Sequence, residues 1–173
     1  MVFSSMQFIE YFLWKNIDNP KKNELYSKLG LFVILLEPLA AINMIEKIPL
    51  KNHLSSFYLI MTFIYLLFHY KNINFKTTIG KKGFLKWDWL ETIGSNQNMI
   101  HNLYFIIWTI ILFYSCYLTK DWIIIGIGIF TYLYSWYNYT KYEAFGTYWC
   151  YIVNFIWICI ILQIIYKNFI LNH

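Results

Sequence analysis

The last long apolar segment of the chain begins with the stretch Glu143-Ala-Phe-Gly-Thr-Tyr-Trp-Cys-Tyr-Ile-Val-Asn154. Wound as a helix, this stretch places its small and polar residues on one face, at positions i, i+3, i+4, i+7 and i+11: Glu143, Gly146, Thr147, Cys150 and Asn154. A carboxylate carried into an apolar helix above such a stripe needs partners from other helices. The stretch therefore predicts a helix bundle in a membrane with a polar interior.

The composition favours the lipid bilayer as the solvent of this chain. Of its 173 residues, 59% are hydrophobic and 13% charged, which leaves more apolar surface than a soluble domain of this size can bury. The net charge of +5 comes from lysines in the loops, where membrane topology explains it, so no nucleic-acid partner is expected. The cysteines lie in apolar segments without C-x-x-C spacing, which indicates neither a disulfide framework nor a zinc knot.

Six apolar segments predict an all-α, single-domain bundle of six transmembrane helices. They cover about residues 2–17, 25–45, 54–70, 101–118, 122–139 and 143–166, and they lack the strict alternation of barrel strands. Residues 71–99 are polar and contain Trp87 and Trp89 beside lysines, which is the composition of an aromatic belt. We therefore expect an interfacial loop there, with either a short helix or a hairpin.

The distribution of lysine predicts the orientation in the membrane. Loops 18–24, 71–99 and 140–142 with their flanks carry 10 of the 14 lysines. These three loops are therefore expected on the cytoplasmic side, with both ends of the chain on the other side.

Polar residues of several segments are expected in the half of the membrane that adjoins the lysine-rich loops. They are Gln7, Glu10, Glu37, His69, His101 and Glu143. At about 1.5 Å of rise per residue, Glu37 lies about 13 Å inside from Lys28, near the midplane. A carboxyl group that deep costs about 2.5 to 3.5 kcal/mol on insertion scales, so Glu10 and Glu37 favour function over packing. We expect at least one of them to be protonated at neutral pH or hydrogen-bonded to Gln7, Tyr11 or a histidine.

Other sequence features define the faces that enclose this polar pocket. Pro38 removes a backbone donor and clashes with the carbonyl of Ile34, so a kink beside Glu37 is expected. The segments present small and polar faces at helical spacing: Ser4, Gln7, Tyr11 and Trp14 with Glu10 at the edge; Ser27, Gly30, Glu37 and Ala41; Ser55, Tyr58, Thr62, Tyr65 and His69; His101, Trp108, Ser115 and Thr119; and Gly128, Thr131, Ser135 and Asn138. The pocket should open toward the cytoplasm under the loop 71–99. Simpler roles remain open, because Glu143 also suits a helix N-terminus and the two histidines suit the membrane interface.

Three short motifs carry a resemblance to a known family: Phe3-Ser-Ser-Met-Gln-Phe-Ile-Glu-Tyr11, Glu37-Pro-Leu-Ala40 and Glu143-x-x-Gly-x-x-Trp-Cys150. They resemble an uncharacterised family of multi-pass membrane proteins of giant DNA viruses, and more loosely a bacterial integral-membrane family of unknown function. The resemblance implies a host or virion membrane and a shared polar core. It also implies a norm of seven spans, of which this chain would lack the first. It implies no activity.

Three classes of function fit these features. The first is binding or translocation of a proton, a cation or a small polar solute, with Gln7, Glu10, Glu37, Glu143, Cys150 and Asn154 as candidate ligands. The first alternative is a structural or assembly protein of a viral membrane, whose carboxylates only fix helix packing. The second is a membrane-embedded, lipid-modifying enzyme with zinc at His69, His101 and Glu143, although no His-Glu-x-x-His or Gly-x-Ser-x-Gly motif supports it. The expected partners are the lipid bilayer and a small polar ligand or ion; no cofactor is expected.

Overall fold

The computed structural model describes residues 2–90, 99–120, 122–139, 144–154 and 158, and in these ranges the chain is mostly helical. The elements are α1 (Val2–Lys15), α2 (Pro20–Asn43), α3 (Ile48–His69), a 3₁₀ turn (Tyr70–Asn72), β1 (Thr77–Ile79), β2 (Leu85–Trp87), α4 (Met99–Leu118) and α5 (Trp122–Tyr139). A further helical stretch at 145–154 is called α6 here. Three of the described helices are long and apolar enough to cross a membrane: Pro20–Asn43, Ile48–Asn72 and Ile100–Leu118.

The central helix is α2, which packs against α1, α3 and α4. The side chain of Asn19 accepts a hydrogen bond from the Lys22 amide, and Pro20 occupies the first turn, where it lacks only an amide that would be unpaired anyway. In the same way α3 has Pro49 in its first turn. Both helices therefore begin before residues 25 and 54, where the predicted apolar segments start. Their first turns are polar, but Asn19 caps α2 and a proline pre-organises the first turn of each helix.

Pro38 lies inside α2 without ending the helix. It leaves the carbonyl of Ile34 without an intrahelical donor, and the indole Nε1 of Trp108 in α4 donates to that oxygen at 2.8 Å. The hydroxyl of Tyr58 in α3 donates to the neighbouring Leu35 carbonyl, also at 2.8 Å. Two neighbouring helices thus satisfy the backbone beside the proline.

Of the two forms expected within residues 71–99, the structure has a hairpin. Strands β1 and β2 pair antiparallel, with Thr77 opposite Trp87, and the turn includes Gly83 at φ +79°, a conformation that favours glycine. The side-chain amide of Asn23 accepts from the Thr77 N–H at 2.9 Å and donates to the Thr77 carbonyl at 2.8 Å. The Ser27 and Thr77 hydroxyls lie 2.8 Å apart. The hairpin is therefore fixed to the beginning of α2.

The two tryptophans of this segment correct the expectation of an aromatic belt. Trp87 and Trp89 are only 2% and 1% exposed, and their rings stack with centroids 5.2 Å apart. A Cβ atom on Gly30 would lie 3.1 Å from the Trp89 ring, and one on Gly146 would lie 2.7 Å from the Trp87 ring. The tryptophans are buried inside the bundle because two glycines on other helices leave room for them.

Most of the expected helix faces are buried in the structure, and one is not. Buried polar residues include Tyr58, Tyr65 and His69 of α3, His101, Trp108 and Ser115 of α4, and Thr131 and Ser135 of α5. In α1 the buried stripe is Met6, Glu10 and Leu13, whereas Tyr11 is 59% exposed and Trp14 is also exposed. The expected face of α1 was therefore wrong by part of a turn, since large apolar side chains set its inner face, and Glu10 lies on the buried stripe.

Candidate functional site

A cavity of about 40 Å³ lies between α2, α4, α5, α6 and the hairpin. Its walls are mostly apolar and aromatic, with a few polar groups, and they consist of Ile34, Glu37, Trp87, Leu90, Phe105, Trp108, Thr109, Tyr132, Phe145, Gly146, Trp149 and Cys150. This volume has room for about two or three water molecules. Trp87 and Leu90, from the segment 71–99, form part of its wall.

Glu37 is the acidic residue of the cavity wall and is only 2% exposed. It precedes Pro38, so the break in the hydrogen-bonding pattern of α2 is next to the carboxyl group. Within the described ranges, no hydrogen-bond partner reaches this carboxyl group. The Tyr58 hydroxyl and the Cys150 thiol lie close enough to interact with it electrostatically.

Glu10 reaches the same region from α1. Its carboxyl group lies within hydrogen-bonding reach of the Thr147 hydroxyl of α6. That hydroxyl donates its hydrogen to the Leu85 carbonyl at 2.8 Å, so the Thr147 oxygen is left to accept a hydrogen bond. The Oε1 atom of Glu10 is buried without a hydrogen-bond partner in the described part of the chain. The Glu10 carboxyl group and the Thr147 hydroxyl of α6 are therefore neighbours in the buried part of the bundle.

Cys150 lies near both acids, because its buried thiol interacts electrostatically with Glu37 and with Glu10. Side chains from α1, α2 and α6 therefore lie near one another. Glu143, the third acid expected there, lies outside the described residues, and its place remains a prediction.

The other expected ligands are not all at the cavity. Asn154 donates to the Cys150 carbonyl of its own helix at 2.8 Å. Gln7 is partly buried, and its Nε2 atom has no hydrogen-bond partner among the described residues. The expected bond from a glutamate to Gln7, Tyr11 or a histidine is absent among the described contacts, since Thr147 faces Glu10 and Tyr11 points outward.

His69 and His101 form a separate cluster between α3 and α4. Their ring centroids lie 5.9 Å apart, and the Tyr65 hydroxyl is 2.9 Å from Nδ1 of His101. Both histidines are buried in the bundle. Nε2 of His101 has no well-formed hydrogen bond within the described ranges, although the Leu90 backbone is close enough to interact with it. Two of the three expected zinc ligands thus meet, and the third, Glu143, lies outside the described residues.

No group of three or more metal-binding side chains occurs in the part of the chain that the structure describes.

Several residues that matter for the site were not singled out from the sequence. Asn23 and Tyr104 are buried, and Tyr104 bonds to the Tyr58 and Thr62 hydroxyls at 3.0 and 2.9 Å. Tyr104 follows His101 by three residues on the polar face of α4, so helical spacing would have identified it. No comparable signal in the sequence identifies Asn23.

No protein-family model, curated protein or solved structure matches this chain. The chemistry of the cavity and its neighbouring residues is therefore the basis for assigning a function.

Proposed function

We propose that this protein is a multi-pass integral membrane protein that takes up and releases a proton at the buried pair Glu10 and Glu37. The observation that carries this proposal is the burial of both carboxyl groups near the Cys150 thiol, with Glu37 in the cavity wall and no salt bridge to either acid among the described residues. Removing an ionised carboxylate from water without compensation is costly, and such a group instead binds a proton. A proton is therefore the ligand that this site can hold with the groups it has.

The size and chemistry of the cavity argue for a proton over a larger solute. A volume of about 40 Å³ is far below the roughly 300 Å³ or more of a typical small-molecule pocket. A metal cation such as Ca²⁺ takes about six to eight oxygen ligands, whereas the side-chain oxygens in the described cavity wall belong only to Glu37, Thr109 and Tyr132. Two or three waters beside Glu37 would suit proton exchange.

The proposed membrane arrangement keeps six spans, with the lysine-rich loops on the cytoplasmic side. The contacts of the hairpin support it, since Thr77 binds Asn23 near the start of α2 and Leu85 binds Thr147 near the start of α6. In alternating spans these two starts lie on the same side of the membrane. The motif resemblance adds a host or virion membrane to this proposal.

Infrared spectroscopy of the protein in lipid tests proton binding directly. The carbonyl band of a protonated carboxylic acid should be present in the wild type and reduced in both Glu37→Gln and Glu10→Gln. Glu46→Gln is a matched control, because Glu46 is exposed beyond the end of α2. An unchanged band in both core variants would reject proton binding. Proteoliposomes containing a pH-sensitive dye would then report whether the bound proton crosses the membrane.

A structural role is the second candidate, and the contact between Glu10 and Thr147 favours it. This contact joins α1 to α6, and the same Thr147 hydroxyl holds the hairpin through Leu85. If the acids only fix packing, Glu10→Ala should lower the thermal stability in detergent, and the wild type should move no protons across proteoliposomes. Proton movement that is lost in Glu37→Gln would exclude a purely structural role.

A further inference from the structure

We propose that the hairpin is a movable plug that controls the access of water and small solutes to the Glu37 cavity, with Asn23 as its latch. This inference concerns regulation of the site on which the proposed function rests. Access to the cavity can nevertheless be measured whether or not a proton binds there.

The hairpin and the residues that directly follow it provide one wall of the cavity. Trp87 and Leu90 line it, and every other described lining residue belongs to α2, α4, α5 or α6. The Trp87 ring lies directly against Gly146. Movement of the hairpin away from the bundle would remove this wall and leave the helical walls in place. The cavity would then open at the end of the bundle where α2 and α6 begin.

Polar contacts from α2 and α6 help to hold the hairpin in place, together with the packing of Phe84 against Tyr139 and Tyr148. Asn23 pairs with both the N–H and the carbonyl of Thr77, as a neighbouring strand would. The Ser27 hydroxyl bonds to the Thr77 hydroxyl, and the Thr147 hydroxyl donates to the Leu85 carbonyl. The described hydrogen bonds between the β1 backbone and α2 are therefore those of Asn23. The Asn23 side chain also donates to the Ile17 carbonyl at 3.1 Å. Loss of this one amide removes both bonds to the Thr77 backbone.

The docked hairpin also carries features that favour its release. The indole Nε1 atoms of Trp87 and Trp89 are buried without a hydrogen-bond partner among the described residues. A buried donor without a partner is destabilising, and exposure to water would satisfy it. Each strand has three residues, and a two-stranded hairpin of this size is not stable by itself. Local opening of such an element costs less free energy than unfolding of the bundle.

Cys150 is a natural reporter, because its buried thiol lines the cavity. In a Cys116→Ser, Cys159→Ser background it becomes the only thiol, and its reaction with a small methanethiosulfonate can be followed by mass spectrometry in proteoliposomes. We expect Asn23→Ala to raise the reaction rate about tenfold or more, because two hydrogen bonds of the docked state are lost. Asn43→Ala is the matched control, since Asn43 is exposed and donates only to Leu39 of its own helix within the described ranges.

A tethered variant tests the same idea in the opposite direction. The Ser27 and Thr77 hydroxyls are 2.8 Å apart, so Ser27→Cys with Thr77→Cys can form a disulfide of about 2.0 Å between the sulfurs. Oxidised, this variant should protect Cys150 beyond the parent. Equal rates in the parent, Asn23→Ala and Asn43→Ala would overturn the plug, and so would rapid labelling of the tethered protein. Failure of the infrared test would reject proton binding without changing these rates.

Discussion

Serine and threonine hydroxyls of α4 and α5 are bonded differently from the polar groups around the hairpin. In α4 and α5, four of the described serine and threonine hydroxyls donate to carbonyls of their own helix: Thr109 to Phe105, Ser115 to Ile111, Thr119 to Cys116 and Thr131 to Ile127. Around the hairpin, polar groups bond to partners that are 50 or more residues away, as Asn23 does to Thr77. A hydroxyl that bonds within its own helix keeps that bond wherever the helix packs. A bond to a distant residue forms only in the assembled fold.

This difference shows where the protein depends on its tertiary structure. A serine or threonine that bonds within its helix can be placed in an apolar bundle at little cost. An amide or carboxyl group that needs a distant partner is destabilising until the partner arrives. The hairpin end, with Glu10, Glu37 and Asn23, contains the second kind, and it also contains the cavity. Substitutions should therefore have large effects at the hairpin end and small effects between α4 and α5.

The largest effect is expected for Gly146→Val. Even its Cβ atom would lie 2.7 Å from the Trp87 ring and 2.9 Å from Leu90, and the rigid Trp87 ring is already stacked on Trp89. Overpacking of this kind should lower the free energy of unfolding in mixed micelles by about 3 kcal/mol or displace the hairpin. Gly126→Ala should be neutral or slightly stabilising, because nothing lies within 4 Å of its Cβ position. Equal effects of the two substitutions would contradict the docked tryptophans.

Asn23→Ala should come next. It leaves the buried N–H and carbonyl of Thr77 without partners, which should cost about 2 kcal/mol in the same unfolding experiment. Asn43→Ala at the other end of α2 should change stability by less than about 0.5 kcal/mol. A loss below that limit for Asn23→Ala would mean that the hairpin is not held by this amide.

Trp108→Phe should have a smaller effect of about 1 kcal/mol. It removes the indole donor to the Ile34 carbonyl and keeps an aromatic ring in the bundle. The same substitution in a Pro38→Ala background should cost less, because an alanine at that position supplies its own backbone amide to the Ile34 carbonyl. A double-mutant cycle measured in mixed micelles checks this coupling. Additive effects would show that the indole and the proline act independently.

The smallest effect is expected for Ser115→Ala. Ser115 is fully buried, yet its hydroxyl donates only to Ile111 of the same helix in the part of the chain described. We expect a change in unfolding free energy within about 0.5 kcal/mol. A loss above about 1.5 kcal/mol would remove the distinction between hydroxyls bonded within their own helix and polar groups bonded to distant residues.

The same distinction explains what the sequence could predict. The polar faces of α3, α4 and α5 were identified correctly, because helical spacing alone determines which residues share a face. The alternation of six spans, from which Glu10 and Glu37 were expected in one half of the membrane, stays a prediction. The inner face of α1 was misplaced, since polarity was weighted above the bulk of Met6 and Leu13.

The burial of the tryptophans could not be predicted from their own neighbourhood. Trp87 and Trp89 stand beside lysines, which is how interfacial tryptophans look in sequence. Their burial depends on Gly30 and Gly146, which are each more than 50 residues away from the tryptophan that they contact. Information of this kind is present only in the assembled structure.

Pro38 shows how a missing atom can specify which helices become neighbours. An ordinary residue at this position would keep the Ile34 oxygen occupied within α2, and the Trp108 indole would have to compete for it. Because proline has no amide hydrogen, the Ile34 oxygen accepts no bond from position 38 within α2 and can accept one from another helix. The donor is the Trp108 indole, which lies at the same depth in α4. In a hydrocarbon environment, apolar surfaces do not discriminate between helices. A free acceptor of this kind therefore specifies where α4 packs on α2.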